Sequence, residues 1–312
     1  MTIDVQTLFE RRMAYPHPAA RDRLDRLVGL DRHKSILTKI LALLVNPEGL
    51  QRWGDSHHPG AKRLIESVLN RPRLVILAGD VGSGKTELAE TIGDAVARQE
   101  GIDVVLLPLS LSARGKGKVG EMTQLISGAF DFTVKEATTW MSKEEGAKGA
   151  VILLVDEADA LAQSRETAEM HHEDVSGVNA FIRGLDRLAN QRLPAAVIMC
   201  TNRYEALDPA VKRRAAEILR FDRPGDEGRR TLLEPKLAEL GFEVSDVEAI
   251  VAATGPRNGR PGFTYSDLTQ RLIPGIVLDA YPDRGIVPER AVKIAQEMEP
   301  SPTFKDEARA QR

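Results

Sequence analysis

The sequence is poor in cysteine, in net charge and in long apolar runs. Cys200 is the single cysteine among 312 residues, which excludes an internal disulfide framework and any cysteine-rich zinc site and suits a reducing compartment. A small core residue is its expected role. Lysine and arginine number 43 against 46 aspartates and glutamates, a net charge of −3, so the chain lacks the basic excess that drives non-specific nucleic-acid binding. Aromatic residues make up 4%, and no basic segment interleaved with aromatics is present. The longest apolar runs, such as "AVILLV" at 150–155, are too short to cross a bilayer. The opening "MTIDVQTLFERRMAYPHP" has no apolar stretch of the secretory kind. What is present is 42% apolar residues, enough to bury a real core, and a cytoplasmic, folded protein is expected.

Four runs, "LVILA" at 74–78, "DVVLLPL" at 103–109, "VILLV" at 151–155 and "AVIMC" at 196–200, read as strands, each followed by a helical stretch. Near-continuous apolar strands alternating with helices predict an α/β fold with a parallel sheet covered on both faces. Residues 1–25, charged and broken by "YPHP", read as an N-terminal arm or linker. The segment from Arg26 onward predicts an amphipathic helix with Asp31 as N-cap and Ile36, Ile40, Leu43 and Leu44 on its apolar face. Between the second and third strands, helical spacing predicts one long helix or two broken near "FDFT". Pro224 and its flanking glycines in "RFDRPGDEG" mark a boundary. The expected organisation is a large α/β domain over 26–223, a small domain of four short helices over 224–298, and a flexible tail over 299–312.

"GDVGSGKT" at 79–86 sits between a strand and a helix and satisfies G-x-x-x-x-G-K-[ST]. Gly79, Asp80, Val81, Gly82, Ser83 and Gly84 form a loop whose amides can turn toward phosphates, with Lys85 for the β and γ phosphates. Thr86 is a magnesium ligand, and Glu87 follows it as a further cofactor contact. "VILLVDEAD" at 151–159 delivers carboxylates at the end of a strand: Asp156 to hold magnesium, directly or through water, and Glu157 as the base that orients and deprotonates an attacking water. The alternative for "DEAD" is a helix N-terminal cluster that complements the macrodipole. Asn202 ends the next strand, as a contact to that water or to the γ-phosphate, or simply as a turn residue. Arg213 and Arg214 lie in "LDPAVKRRAAEILRF" on a short helix, either as a solvated face or as arginine fingers offered to a neighbouring subunit.

In this order the motifs resemble the AAA+ ATPases, P-loop proteins, over about 26–298: Walker A, Walker B, sensor 1 at "CTNR", the finger region, and a helical lid. The resemblance implies ATP and Mg2+ as cofactors, a pocket at a subunit boundary completed by Arg213 and Arg214 of the next protomer, and a homohexameric ring. It makes Asn202 a catalytic contact and makes Val28 and Gly29, in "LVGLD", adenine contacts. "GKVGEM" at 117–122 stands where substrate-threading relatives carry an aromatic, an aliphatic and a glycine, so Lys118, Val119 and Gly120 are the pore candidates, with lysine in the aromatic place. The stretch "DEADALAQSRE" through "VNAFIRGLDRL" most resembles the pachytene-checkpoint family, whose bacterial relatives occur in cyclic-nucleotide antiphage systems. That likeness implies remodelling of a protein partner, a HORMA-domain protein. A nucleic-acid motor or loader of the same class, or another protein-disassembly ATPase, is the alternative. In "GFTYSDL" Ser266 stands where that family often has arginine, which leaves Arg271 and Arg260 as candidates for sensor 2.

His57 with His58, and His171 with His172, tempt a metal reading, but adjacent histidines diverge in a regular element and neither pair has spaced partners for a tetrahedral site. The second pair falls where a second pore loop is expected.

Overall fold

The computed structural model describes residues 8–111, 121–142, 146–161 and 172–303. Its chain clusters into two compact units, the first comprising Met1–Asp25, His33–Ala78 and Thr86–Arg220, the second Arg26–Arg32, Gly79–Lys85 and Phe221–Arg312.

The first unit is built on a six-stranded sheet in the order β1-β3-β4-β5-β2-β6. The strands are β1 (Met13–Tyr15), β2 (Leu74–Gly79), β3 (Asp103–Ser110), β4 (Gly149–Asp156), β5 (Ala195–Thr201) and β6 (Ala215–Phe221). The middle pairs β3–β4, β4–β5 and β2–β5 are parallel. Their residues are almost all buried, as strands covered on both faces must be, and this is why they read as unbroken apolar runs. The principal helices are α1 (Pro18–Asp25), α2 (Asp31–Val45), α3 (Pro47–His57), α4 (Lys62–Leu69), α5 (Lys85–Glu100), α6 (Glu121–Thr139) and α7 (His172–Asn190), with a short α8 (Pro209–Lys212). In the core, Ile76, Leu107, Leu153 and Val197 from the sheet meet Ile126, Phe130 and Phe181 from α6 and α7. The Phe130 and Phe181 rings pack edge to face at 5.5 Å.

Three expectations change and one open alternative closes. The N-terminal segment is not a free arm: β1 pairs antiparallel with β3, Tyr15 is buried, and its hydroxyl donates to the Glu90 carbonyl. Arg23 grips Glu87 and Glu90 and Arg11 also pairs with Glu90, while Arg12 reaches Glu136 of α6, so part of the charge that gave the segment a linker-like composition ties it to the first unit. On α2 the buried stripe is Leu37, Leu41, Leu44 and Val45, one residue on from the expected Ile36 and Ile40, because both rows are apolar and packing selects between them. Helix α8 stops at Lys212, so Arg213 and Arg214, expected on the short helix, fall on the turn after it, and residues 215–221 form β6, partly exposed as an edge strand is. Helix α6 runs unbroken through "FDFT".

The second unit contains α9 (Asp226–Ala238), α10 (Val244–Ala253), a π-helical stretch Asp267–Leu272 running into α11 (Ile273–Ala280), and α12 (Pro288–Glu297). Leu233, Ile250, Phe263, Leu268, Leu272 and Ala295 are the centre of its core. Asp267 is fully buried there and accepts hydrogen bonds from Thr264 N at 3.0 Å, Ser301 N at 3.0 Å, Ser301 Oγ at 2.7 Å and Arg271 Nη1 at 2.7 Å. Burial alone would raise its pKa, but those bonds hold the carboxyl below the usual range. The tail expected from 299 is thus anchored at Ser301, while 304–312 lie outside the described residues.

Candidate functional site

Parallel register places the strand ends side by side: Ser110 opposite Asp156, and Ala78 opposite Thr201. At the end of β4, Asp156 is half-buried and Glu157 exposed. Glu157 adopts a left-handed φ of 52°, a conformation uncommon outside glycine. Its backbone N–H donates to Asp156 Oδ1 at 2.8 Å, and Ser110 Oγ donates to its Oε2 at 3.3 Å. A carboxylate held this way is presented outward with its partner acid fixed behind it.

Asn202 is tied to Asp159, which follows Glu157 closely in the chain. Asp159 accepts from Asn202 N at 3.0 Å, Asn202 Nδ2 at 3.2 Å, Arg203 N at 3.2 Å and Thr201 Oγ1. One carboxylate therefore locks the end of β5 to the turn after β4. Sequence reading missed this role for Asp159; the signal available was a third acid in "DEAD" with no task assigned to it.

The two candidate fingers part company. Arg214 donates from Nε and Nη2 to both oxygens of Asp186 in its own chain, at 2.8 and 3.1 Å, a bidentate pair that raises its pKa through the hydrogen bonds to Asp186. Arg213 is exposed, and its Nε donates to the Pro209 carbonyl at 3.3 Å.

In the second unit the loop Gly79–Lys85 is grouped with residues of the "LVGLD" segment and with the helices that follow Phe221. Gly82 has φ +75° and a Cβ there would stand 2.7 Å from Ser266 Cβ; Gly29 also has φ +75°, with Tyr265 Oη 2.6 Å from where its Cβ would be. Both positions need glycine for conformation and for space. Ser266 N donates to the Gly82 carbonyl at 3.1 Å, and Val28 packs on the lid core. Burial, then the charge of Asp31, raises the pKa of Tyr265. Lys85 is buried, its Nζ bonded to the carbonyls of Gly79 and Asp80, each at 2.8 Å, and Ser83 is buried beside it. Val81 is exposed.

At the start of α5, Thr86 is exposed, and the Glu87 side chain, expected at the cofactor, is instead gripped by Arg23 at 2.7 and 2.8 Å. That leaves its backbone amide as its contribution to a ligand. The sensor 2 candidates are both engaged with acids: Arg271 with Asp267 at 2.7 Å, and Arg260 with Glu299 at 3.3 Å. A different arginine, Arg223, which sequence reading passed over, reaches Asp80 of the glycine-rich loop at 2.7 Å.

Lys118, Val119 and Gly120 lie outside the described residues, as does the expected second pore loop through His171. His57 stacks on Trp53 with centroids 5.6 Å apart. Among the described residues no group of three or more His, Cys, Asp or Glu side chains is placed to hold a metal ion, Cys200 is buried, and no helix is long and apolar enough to cross a membrane.

Residues 75–223 match the ATPase family associated with various cellular activities (AAA). Over 300 residues the chain is 62% identical to CD-NTase-associated protein 6 of Escherichia coli strain MS 115-1, with 96% of each chain covered. In structure it is similar to a chain of the solved E. coli MS115-1 HORMA:CdnC:Trip13 complex, at 60% identity and a TM-score of 0.90, covering 98% of this chain and 100% of that one. It is also similar to the Trip13 structure from Rhizobiales, at 57% identity and a TM-score of 0.74 over 94% of this chain and 99% of that one.

Proposed function

This chain belongs to the AAA family of ATPases, and from that premise we propose that it forms a ring that spends ATP hydrolysis on remodelling a HORMA-domain protein in the cytoplasm. The observation that carries the reading is that the whole chain, beyond its ATPase stretch, matches a protein solved together with a HORMA protein.

The residues present fit a magnesium–triphosphate group. The loop is shaped by glycines where a Cβ has no room, Lys85 sits inside it, and a hydroxyl with a carboxylate, Thr86 and Asp156, is the hard-oxygen donor set that magnesium takes. When bound, magnesium neutralises phosphate charge and polarises the terminal phosphoryl group. Lys85 exchanges its loop carbonyls for phosphate oxygens, and the amides of residues 82–87 add the positive end of α5. Val28 and Gly29 take the base. Glu157, braced by Ser110 and by the Asp156 carboxylate, orients a water and takes its proton. Asn202, held by Asp159, keeps its remaining amide hydrogen for that water or the terminal phosphate. Arg213, exposed, is the arginine offered to a neighbouring protomer; Arg214, held by Asp186, braces the turn that carries it. Residues 26–223 act as the ATPase domain and 224–298 as its lid, and Lys118, Val119 and Gly120 face substrate in the pore.

Glu157→Gln is expected to lower hydrolysis by about 10²–10⁴-fold while nucleotide still binds. Affinity capture with that variant in ATP should retain a HORMA-fold protein and release it in ADP. Recovery of nucleic acid alone, with hydrolysis stimulated by DNA in a salt-sensitive way, would overturn the reading in favour of a nucleic-acid motor.

A further inference from the structure

An acid inside a loop that must receive a polyphosphate is an electrostatic liability, and Asp80, the second residue of "GDVGSGKT", is such an acid. One partner of it comes from far along the chain. Arg223, just beyond the end of β6, donates from Nε to Asp80 Oδ2 at 2.7 Å and from Nη1 to the Gly262 carbonyl at 2.7 Å. The pair is largely sheltered, with side-chain exposures of 12% for Arg223 and 22% for Asp80. The third guanidinium nitrogen, Nη2, is buried and has no hydrogen-bond partner among the described residues. Asp80 is the one acid within ion-pair distance of Arg223 among those residues.

We propose that Arg223 is a positioning residue for nucleotide binding: it cancels the charge of Asp80, so that the loop meets phosphate as a cation. The inference rests on the reading that this loop binds ATP. In the sheltered environment of the loop a unit charge acts at a fraction of water's screening. With Arg223 in place, Asp80, Arg223 and Lys85 together carry a net positive charge. With Arg223 removed, Asp80 and Lys85 sum to zero, and the anion stands beside the incoming phosphates. The contact to Gly262 fixes the guanidinium in direction, which a flexible lysine at the same position would do less well.

The test is equilibrium titration of the 312-residue chain with a fluorescent ATP analogue, with and without magnesium, alongside thermal melts. Arg223→Met should weaken binding by about tenfold or more, and the loss should shrink as salt is raised. Adding Asp80→Asn to that variant should recover most of the lost affinity, and Asp80→Asn alone should tighten binding by about two- to fivefold. A double variant as weak as Arg223→Met would overturn the proposal, since the arginine would then act by holding the Gly262 backbone. Should Arg223→Met fail to fold, Asp80→Asn still decides: weaker binding by that variant overturns the proposal. Failure of the unaltered chain to bind the analogue would overturn the ATP reading itself, a separate outcome.

Discussion

Two carboxylate hubs, one in each unit, accept four hydrogen bonds apiece and serve different ends. Asp159 gathers a hydroxyl, two backbone amides and a side-chain amide from consecutive residues, Thr201 to Arg203. Asp267 gathers donors from Thr264, Arg271 and Ser301, spread over residues 264 to 301. The first hub is local, half-buried and close in sequence to Glu157, and it fixes Asn202, the proposed contact to water or phosphate. The second is distributed and fully buried, so it holds a domain closed on itself. Hydrogen-bond number alone does not distinguish a positioning carboxylate from a structural one; the sequence span of its donors does.

Substitution at Asp267 should break this contrast most visibly. Asp267→Ala should cost about 3–4 kcal/mol by leaving buried donors unsatisfied, read as early loss of lid structure in a urea melt. The same carboxylate sets a pH dependence. Its pKa is depressed in the folded chain, so its contribution is complete above the unfolded Asp value of about 3.9 and is lost as pH falls through the lower, folded value. Acid melts of Asp267→Asn should lack that component of the decline. Asp159→Ala should cost about 2–3 kcal/mol and, unlike Asp267→Ala, should depress hydrolysis in molecules that remain folded, because Asn202 loses its tether. If hydrolysis per folded molecule were unchanged, Asp159 would be structural as well. The smallest effect is expected of Ser301→Ala, about 1 kcal/mol, with hydrolysis unaltered.

The central strands were legible because burial on both faces writes itself as an apolar run, as in "VILLVD". The edges were not. Strand β1 is only Met13–Tyr15 and runs straight into a proline, and β6 carries Glu217 and Arg220 at positions open to solvent in whole or part, so neither has the run or the strict alternation that marks a strand. The proposed site divides in the same way. Lys85, Thr86, Asp156 and Glu157 announce themselves through short spacings. Partnerships across long separations do not: Arg23 lies 64 residues from Glu87 and Arg223 lies 143 from Asp80. A clue to the first was available in Glu87, Glu90 and Asp94, which share one face of α5 by their spacing and need cations; the clue to the second was an acid in a phosphate loop. Arg213 and Arg214 look equivalent in sequence, and only the position of Asp186 separates them.

The π-helical stretch Asp267–Leu272 has a consequence for how the lid tolerates change in length. A π turn is an α turn that has absorbed one surplus residue, and here Asp267, Leu268 and Leu272 stay buried while Gln270 faces out. Deleting Gln270 should let the turn close into ordinary α-helix with Leu268 and Leu272 one i,i+3 step apart, still on one face. The same excision in the middle of α9 would swing every later side chain of that helix by about 100°, carrying Leu237 out of the core. The lid therefore holds one spare residue, and it is kept at the turn that begins with Asp267.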